Sequence, residues 1–476
     1  MAGLTGAAID TARAFYLKSE LMSALDAAAL AGGATVNSPN FNANVNKYFN
    51  VNFPEGHLGS DLGDLDIAVD ANRELVTLST TANLDGTLMK IVGYGDSFAA
   101  AESEVTIERK GVEVVLVMDN TGSMGTTNMD AMKSAAQDLV NVLYGNKETI
   151  DNLYVGLVPY TSIVNIGSNR TSWVSGLNAA NYSPTTWKGC VFARGMETDD
   201  NNYITHGLWT PFLWETSTDN PWKCTANNSP FNYCSNEMGL SRHRSTCGDA
   251  GGKWTTNNRI NINANQCAAN NGTGPNLGCG PAITPLVQSK TTITNAISQM
   301  NSWGRGGTNS LVGLSWGWRV ISPKWQGLWG GATPATLPLN YDEPLMEKAV
   351  VILTDGNNAW HNYDTSNSHN YNNSMGLYNG DMTAFRRPQD NLLGTTNPTT
   401  ATNTLNTNFG AMCEQMKAQG IRIYTITFAL NNATVQQLWR NCASSPSYYF
   451  NSPSAAELSG VFKTIGDSLS NLRLSK

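Results

Sequence analysis

The stretch VEVVLVMDNTGSMG, residues 112–125, decides how this chain is read. An apolar run, interrupted only by Glu113, stops at Asp119. Runs of that kind are strands buried on both faces, as in a parallel sheet. Hydroxyls follow on alternate residues, at Thr121 and Ser123, and Gly122 between them lets the loop curl. Ligands in open α/β sheets bind beyond the carboxyl ends of the strands, where Asp119 stands. Asp, Thr and Ser after a strand are also ordinary turn and helix-cap residues, so this segment alone leaves both readings open.

Two further segments shift the balance. RGGTNSL places Thr308 after Gly306 and Gly307, at the start of a helical pattern, and VVILTDG ends a second buried strand with Thr354 and Asp355. Three loops thus offer hydroxyl and carboxylate oxygens at one edge of one sheet. An oxygen-only set suits Mg²⁺, or Ca²⁺ or Mn²⁺, and with no His or Cys in it disfavours softer metals.

Outward from this core the pattern is α/β. Strands are expected at Val112–Met118, Leu153–Tyr160, Ala349–Thr354 and Ile421–Phe428, alternating with helices, which predicts a doubly wound, mostly parallel sheet over residues 111–476. Residues 1–110 read differently. A helix over 4–33 carries Leu17, Leu21, Ala24, Leu25 and Ala28 as one stripe and is stopped by Gly32 and Gly33. Period-two segments after residue 64 then predict a small antiparallel sheet. Residues 168–285, rich in Asn, Gly and Trp, read as an insertion with its own small core, filled by aromatics that include Trp187, Trp209, Trp214, Trp222 and Trp254.

Of the eight cysteines, Cys190, Cys224, Cys234, Cys247, Cys267 and Cys279 fall in this insertion, with their pairing open. Cys413 lies in a helix and Cys442 just after another; a bridge between them is expected. The spacings lack the tight pairs of zinc sites, so disulfides and an oxidising compartment are the reading. Charged residues are only 14% of the 476, with 30 Lys and Arg against 37 Asp and Glu, which offers no basic stripe for nucleic acid. No run reaches the roughly 18 apolar residues of a membrane span.

Asp119-x-Thr121-x-Ser123, then Thr308, then Asp355 in TDG resemble the metal-ion-dependent adhesion site of a von Willebrand factor A domain. The usual pattern has Ser in second place, and Thr121 keeps the hydroxyl. The resemblance implies that Thr121 and Ser123 hold the ion directly, Thr308 in the ligand-bound state, and Asp119 and Asp355 directly or through water. The remaining position would take an acidic side chain of a protein partner. Relatives often carry an acid after TDG; Asn357 here implies weaker affinity for the ion. GAAIDTARAFYLKSELMSALDAAALAGG, WKGCVFAR, GPNLGCGPAITPL, GGTNSLVGLSWGWRVISP and the segment from Asn441 onward are similar to TadE/TadG-like proteins of the bacterial tight-adherence (Flp-type) pilus machinery. That family carries an inner-membrane helix just ahead of GAAID, an anchor absent from this chain. The resemblance implies an extracytoplasmic protein, in the periplasm, at the membrane or on the pilus or cell surface.

Three functions are compatible with these features. The first is a non-enzymatic assembly or adhesion protein that captures a pilus component or surface receptor through the metal. The second is a structural minor-pilin-like subunit with a vestigial site. The third, a haloacid-dehalogenase-type phosphatase, needs a second Asp two residues after the first as proton donor; that place is Thr121.

Overall fold

The computed structural model describes residues 2–36, 38–70, 75–86, 97–106, 110–182, 185–214, 233–234, 254–255, 274–360, 381–452 and 454–472. Two compact units emerge, one built on Met1–Lys110 and the other on Gly111–Ser470.

The first unit begins with α1 (Ala2–Thr35) and α2 (Phe41–Asn52), followed by β1 (Ser60–Leu62), β2 (Asp66–Val69), β3 (Leu75–Leu84) and β4 (Ser97–Thr106). Strand β3 is central. Along one side it pairs antiparallel with β4, from Leu75 opposite Thr106 to Leu84 opposite Ser97; β1 and β2 pair with successive parts of its other side. The stripe of Leu17, Leu21, Ala24, Leu25 and Ala28 is buried in the core of this unit. Gly32 does not stop α1, which runs on to Thr35. A Cβ there would lie 2.9 Å from Val45 Cγ2, so this glycine lets α2 cross closely. The opposite face of α1 leaves Ile9, Phe15, Tyr16 and Leu30 exposed, so this helix is apolar on two sides. Among the described residues no helix is long and apolar enough to cross a membrane.

The second unit contains β5 (Gly111–Asp119), α3 (Gly125–Tyr144), β6 (Leu153–Tyr160), β7 (Val164–Asn165), β8 (Cys190–Val191), β9 (Thr284–Val287), α4 (Lys290–Ser298), β10 (Gly307–Thr308), α5 (Ser310–Ile321), β11 (Met346–Thr354), β12 (Ala359–Trp360), α6 (Pro398–Ala418), β13 (Arg422–Phe428), α7 (Ala433–Cys442), β14 (Tyr449–Ser452) and α8 (Ala455–Leu472). The strand order is β14-β13-β11-β5-β6-β7-β8, and β9 also pairs with β6. Strands β14, β13, β11, β5 and β6 are mutually parallel; β7, β8 and β9 add antiparallel pairings at one side. This is a doubly wound, mostly parallel α/β sheet.

Strand β5 is buried at every residue because it lies between β11 and β6 with helices over both faces. Its one interior acid, Glu113, stands opposite Lys348 in the β5–β11 register and pairs with the Lys348 ammonium, while accepting from Leu339 N at 2.7 Å. Burial pushes the Glu113 carboxyl up and the Lys348 ammonium down, and their mutual attraction opposes both shifts. Val115, Val117, Val350 and Ile352 share one core with α5 and α6. On the other face Tyr424 meets Ser468 of α8 through their hydroxyls at 2.9 Å, and Gly466 of α8 lets Val142 of α3 approach. Helix α5 sits close on the sheet through glycines: a Cβ on Gly313 would lie 2.6 Å from the Tyr160 ring, and one on Gly317 2.5 Å from Val117.

Cys413 is joined to Cys442, tying α6 to the end of α7, and Cys190 to Cys279. Cys224, Cys247 and Cys267 lie outside the described residues, and of Cys234 only the backbone is described. The expectation of a separate aromatic core for 168–285 changes for the described part. Trp187, Trp209 and Trp214 join the main core, where Trp209 packs 4.9 Å from Trp316 of α5. Large rings bury most area against other large rings, and α5 together with Trp325 and Trp329 supplies them. Trp222 lies outside the described residues, as does the side chain of Trp254.

Gly313→Ala is expected to destabilise the protein by about 1–3 kcal/mol through overpacking against Tyr160, measured by denaturant unfolding. Removing the Cys413–Cys442 bridge, which closes a separation of 29 residues, is expected to lower stability by about 3–4 kcal/mol on the chain-entropy estimate; the double Ala variant, unfolded beside the wild type, measures it.

Candidate metal centre

Asp119 ends β5 and is fully buried. Its Oδ1 accepts from Thr121 N at 2.8 Å, a local turn that folds the loop back on the carboxylate. Its Oδ2 accepts from the Thr354 hydroxyl at 2.8 Å and, more weakly, from Tyr160 OH at 3.4 Å. Both donors come from the neighbouring strands β11 and β6. Tyr160 is held in turn by donating to Leu353 O at 2.9 Å.

From there a chain of oxygens runs to the surface. Thr121 Oγ1 lies 2.9 Å from Ser123 Oγ, and Ser123 Oγ donates to Asp355 Oδ1 at 2.7 Å, across 232 residues of sequence. Thr121 and Thr308 are buried, Asp355 is half-buried and Ser123 is exposed, so the cluster opens towards solvent at Ser123 and Asp355. Gly122 serves by close approach: it has no left-handed backbone, but a Cβ there would lie 2.6 Å from Gly304 Cα.

Thr308 arrives by a separate route. Gly306 and Gly307 both take left-handed φ, 99° and 95°, and the turn is pinned by Asp381, whose Oδ2 accepts from Gly306 N at 2.7 Å while its carboxylate pairs with Arg305. Strand β10 then pairs with β12, setting Thr308 opposite Ala359, four residues past Asp355. A Cβ on Gly356 would lie 3.9 Å from Thr308 Oγ1, in ordinary contact, so Thr308 borders the Asp355 loop. Asn358 fastens that loop to α5 by accepting from Ser310 N at 2.7 Å, and Asn309 caps the helix by accepting from Val312 N. Tyr160, Thr354, Asn358 and Asp381 were absent from the expected set. Thr354 was visible in TDG as a hydroxyl ending a buried strand; the others carry no local signal.

The electrostatics are those of acids short of a counter-charge. Burial pushes the Asp119 carboxyl up, against its hydrogen bonds from Thr121 and Thr354. Burial, and then the neighbouring Asp119 charge, push Asp355 up to about 7. Among the described residues there is no group of three or more His, Cys, Asp or Glu able to hold a metal; the donors here are two carboxylates and three hydroxyls. That set fits a hard cation. Oxygens on adjacent vertices of a Mg²⁺ octahedron, each at 2.0–2.1 Å from the ion, are about 3 Å apart. The Thr121–Ser123 and Ser123–Asp355 separations of 2.9 and 2.7 Å are already near that spacing.

No protein-family model matches the chain, and no curated protein matches it in sequence. Among solved structures it is similar to the vWF domain of the type V pili tip protein Mfa5 from Porphyromonas gingivalis, with TM-score 0.36, 11% identity, and 77% of this chain and 97% of that one covered. It is also similar to the PilB minor pilin from Streptococcus sanguinis, with TM-score 0.34, 13% identity and coverages of 87% and 79%. A third is proximal thread matrix protein 1 from the mussel byssus, a structure with a zinc-occupied MIDAS motif, with TM-score 0.29, 12% identity and coverages of 77% and 47%. Likenesses this distant carry no weight for what this chain binds.

In chelator, the raised Asp355 has a definite signature. Its folded pKa of about 7 lies above the ordinary 3.8. The stabilisation it contributes is full below the lower value and is lost as pH rises through the upper one. The melting temperature of metal-free protein is expected to fall from pH 5 to pH 8, and to fall less in Asp355→Asn.

Proposed function

We propose that this chain is a non-enzymatic binding protein. It holds one Mg²⁺, or Ca²⁺ or Mn²⁺, through Asp119, Thr121, Ser123, Thr308 and Asp355, and presents it to an acidic side chain of a protein partner. The observation that carries the reading is the Ser123–Asp355 hydrogen bond, which joins the ends of β5 and β11 at the solvent side of the cluster. Two carboxylates formally balance the two charges of a divalent ion, and with only neutral hydroxyls as the other donors the ion stays electrophilic enough to take a partner's carboxylate.

The setting we infer is outside the cytoplasm, as a pilus assembly or adhesion component of the TadE/TadG-like kind, with a pilus subunit or a surface receptor as partner. The disulfides among the described residues support an oxidising compartment. The helix-on-sheet first unit is consistent with a pilin-like part.

Mg²⁺ is expected to raise the melting temperature of the wild type, by an amount equivalent to about 2.7 kcal/mol when its concentration is a hundred times Kd. Asp119→Ala and the milder surface change Ser123→Ala should abolish or shrink the shift. No response to Mg²⁺, Ca²⁺ or Mn²⁺ would return the cluster to a relic in a structural subunit. Binding to pilus or cell-surface fractions that persists in chelator and in Asp119→Ala would refute capture through the ion. Mg²⁺-dependent hydrolysis of p-nitrophenyl phosphate by the wild type would favour the phosphatase.

A further inference from the structure

A second candidate site lies in an open cavity of about 320 Å³ in the second unit. That volume is at the lower end of the roughly 300–1,000 Å³ of small-molecule sites. Its floor is apolar, with Tyr182, Phe192 and Met382 buried along it. Its rim is polar and exposed, formed by the amides of Asn178 and Asn181 and the hydroxyl of Thr210.

Arg386 stands half-buried in the wall. Its guanidinium lies 4.6 Å from the Phe192 ring centroid, and among the described residues it meets no carboxylate or other hydrogen-bond acceptor. Three other guanidiniums of this unit are matched, Arg305 by Asp381, Arg319 by Glu197 and Arg422 by Glu347, whereas exposed Arg440 over the Tyr449 ring is in the same position as Arg386. One carboxylate also lines the cavity, that of exposed Asp390, whose Oδ2 accepts from Arg387 N at 3.0 Å. The position of Arg386 is also fixed. Its backbone takes a left-handed φ of 57°, and its carbonyl accepts from Trp360 Nε1 and Thr383 Oγ1, each at 2.8 Å. Such backbone persists where the surroundings determine it, and ligand sites are enriched in it.

We propose that this cavity binds a carboxylate-bearing sugar, with Arg386 taking the carboxylate and the rim taking ring hydroxyls. A planar guanidinium stacked on a ring and short of an acceptor is a carboxylate receptor. Side-chain amides and hydroxyls donate and accept, as sugar hydroxyls do. An acidic peptide would call for a run of backbone partners along a strand edge, and the described lining is side chains around a compact hollow.

Titration calorimetry on the whole chain tests this with glucuronate, glucose and N-acetylglutamate. Glucuronate is expected to bind at least about ten-fold more tightly than glucose, and Arg386→Gln to remove that preference without lowering the melting temperature. Should Arg386→Gln fail to fold, the exposed rim variant Asn181→Ala is expected to weaken glucuronate and glucose alike. Chelator and Asp119→Ala should leave glucuronate binding unchanged, which separates this site from the metal reading. Equal affinity for glucuronate and glucose, wild-type affinity in the variants, equal or tighter N-acetylglutamate binding, or loss of glucuronate binding in chelator would each overturn the proposal.

Discussion

A carboxylate with no exposure to water stands at the end of the central strand, and the loops around it are organised by that fact. Taking an ionised carboxylate out of water carries an effective penalty of several kcal/mol. Asp119 offsets part of it with the Thr121 N–H and the Thr354 hydroxyl. Asp355, close enough for the Asp119 charge to push its own carboxyl up, adds like-charge repulsion. Two partly satisfied acids beside neutral hydroxyls are an arrangement that either a proton on Asp355 or a hard divalent ion would relieve.

The sheet supplies this geometry almost without choice. β11 runs parallel to β5 with Leu353 opposite Met118, so the next residues, Thr354 and Asp119, end side by side. On the other flank Asp119 is opposite Tyr160. Parallel pairing sends all three chain exits to one edge, and that edge is where their loops must meet. Thr308 needs more construction: two left-handed glycines, the buried Asp381–Arg305 clamp and the short β10–β12 ladder.

Much of this was legible in the sequence because the central strands are long apolar runs. Gly111–Asp119, Leu153–Tyr160, Met346–Thr354 and Arg422–Phe428 each hold a period or a run long enough to read. The two-residue strands Val164–Asn165 and Cys190–Val191 cannot show one; they exist only through their partners. In local sequence Gly122 and Gly32 look like a flexible joint and a stop. Their work is steric, against Gly304 and Val45, and that depends on what passes nearby in space. The tryptophans of the 168–214 segment looked self-sufficient for the same reason. Nothing local says that Trp316, Trp325 and Trp329, over a hundred residues away, complete their core.

The Cys190–Cys279 bridge has a consequence for what this architecture tolerates. Its two cysteines are 89 residues apart, yet both ends are also fastened to the sheet: β8 pairs with β7, and the carbonyls of Gly278 and Gly280 accept from Thr161 and Asn165. The intervening chain is therefore closed at its base by a covalent staple. Lengthening a closed loop is inexpensive, each doubling adding only about 0.6 kcal/mol. The staple thus leaves room for added length past Trp214, while Trp209 and Trp214 themselves cannot be exchanged, because they complete the main core.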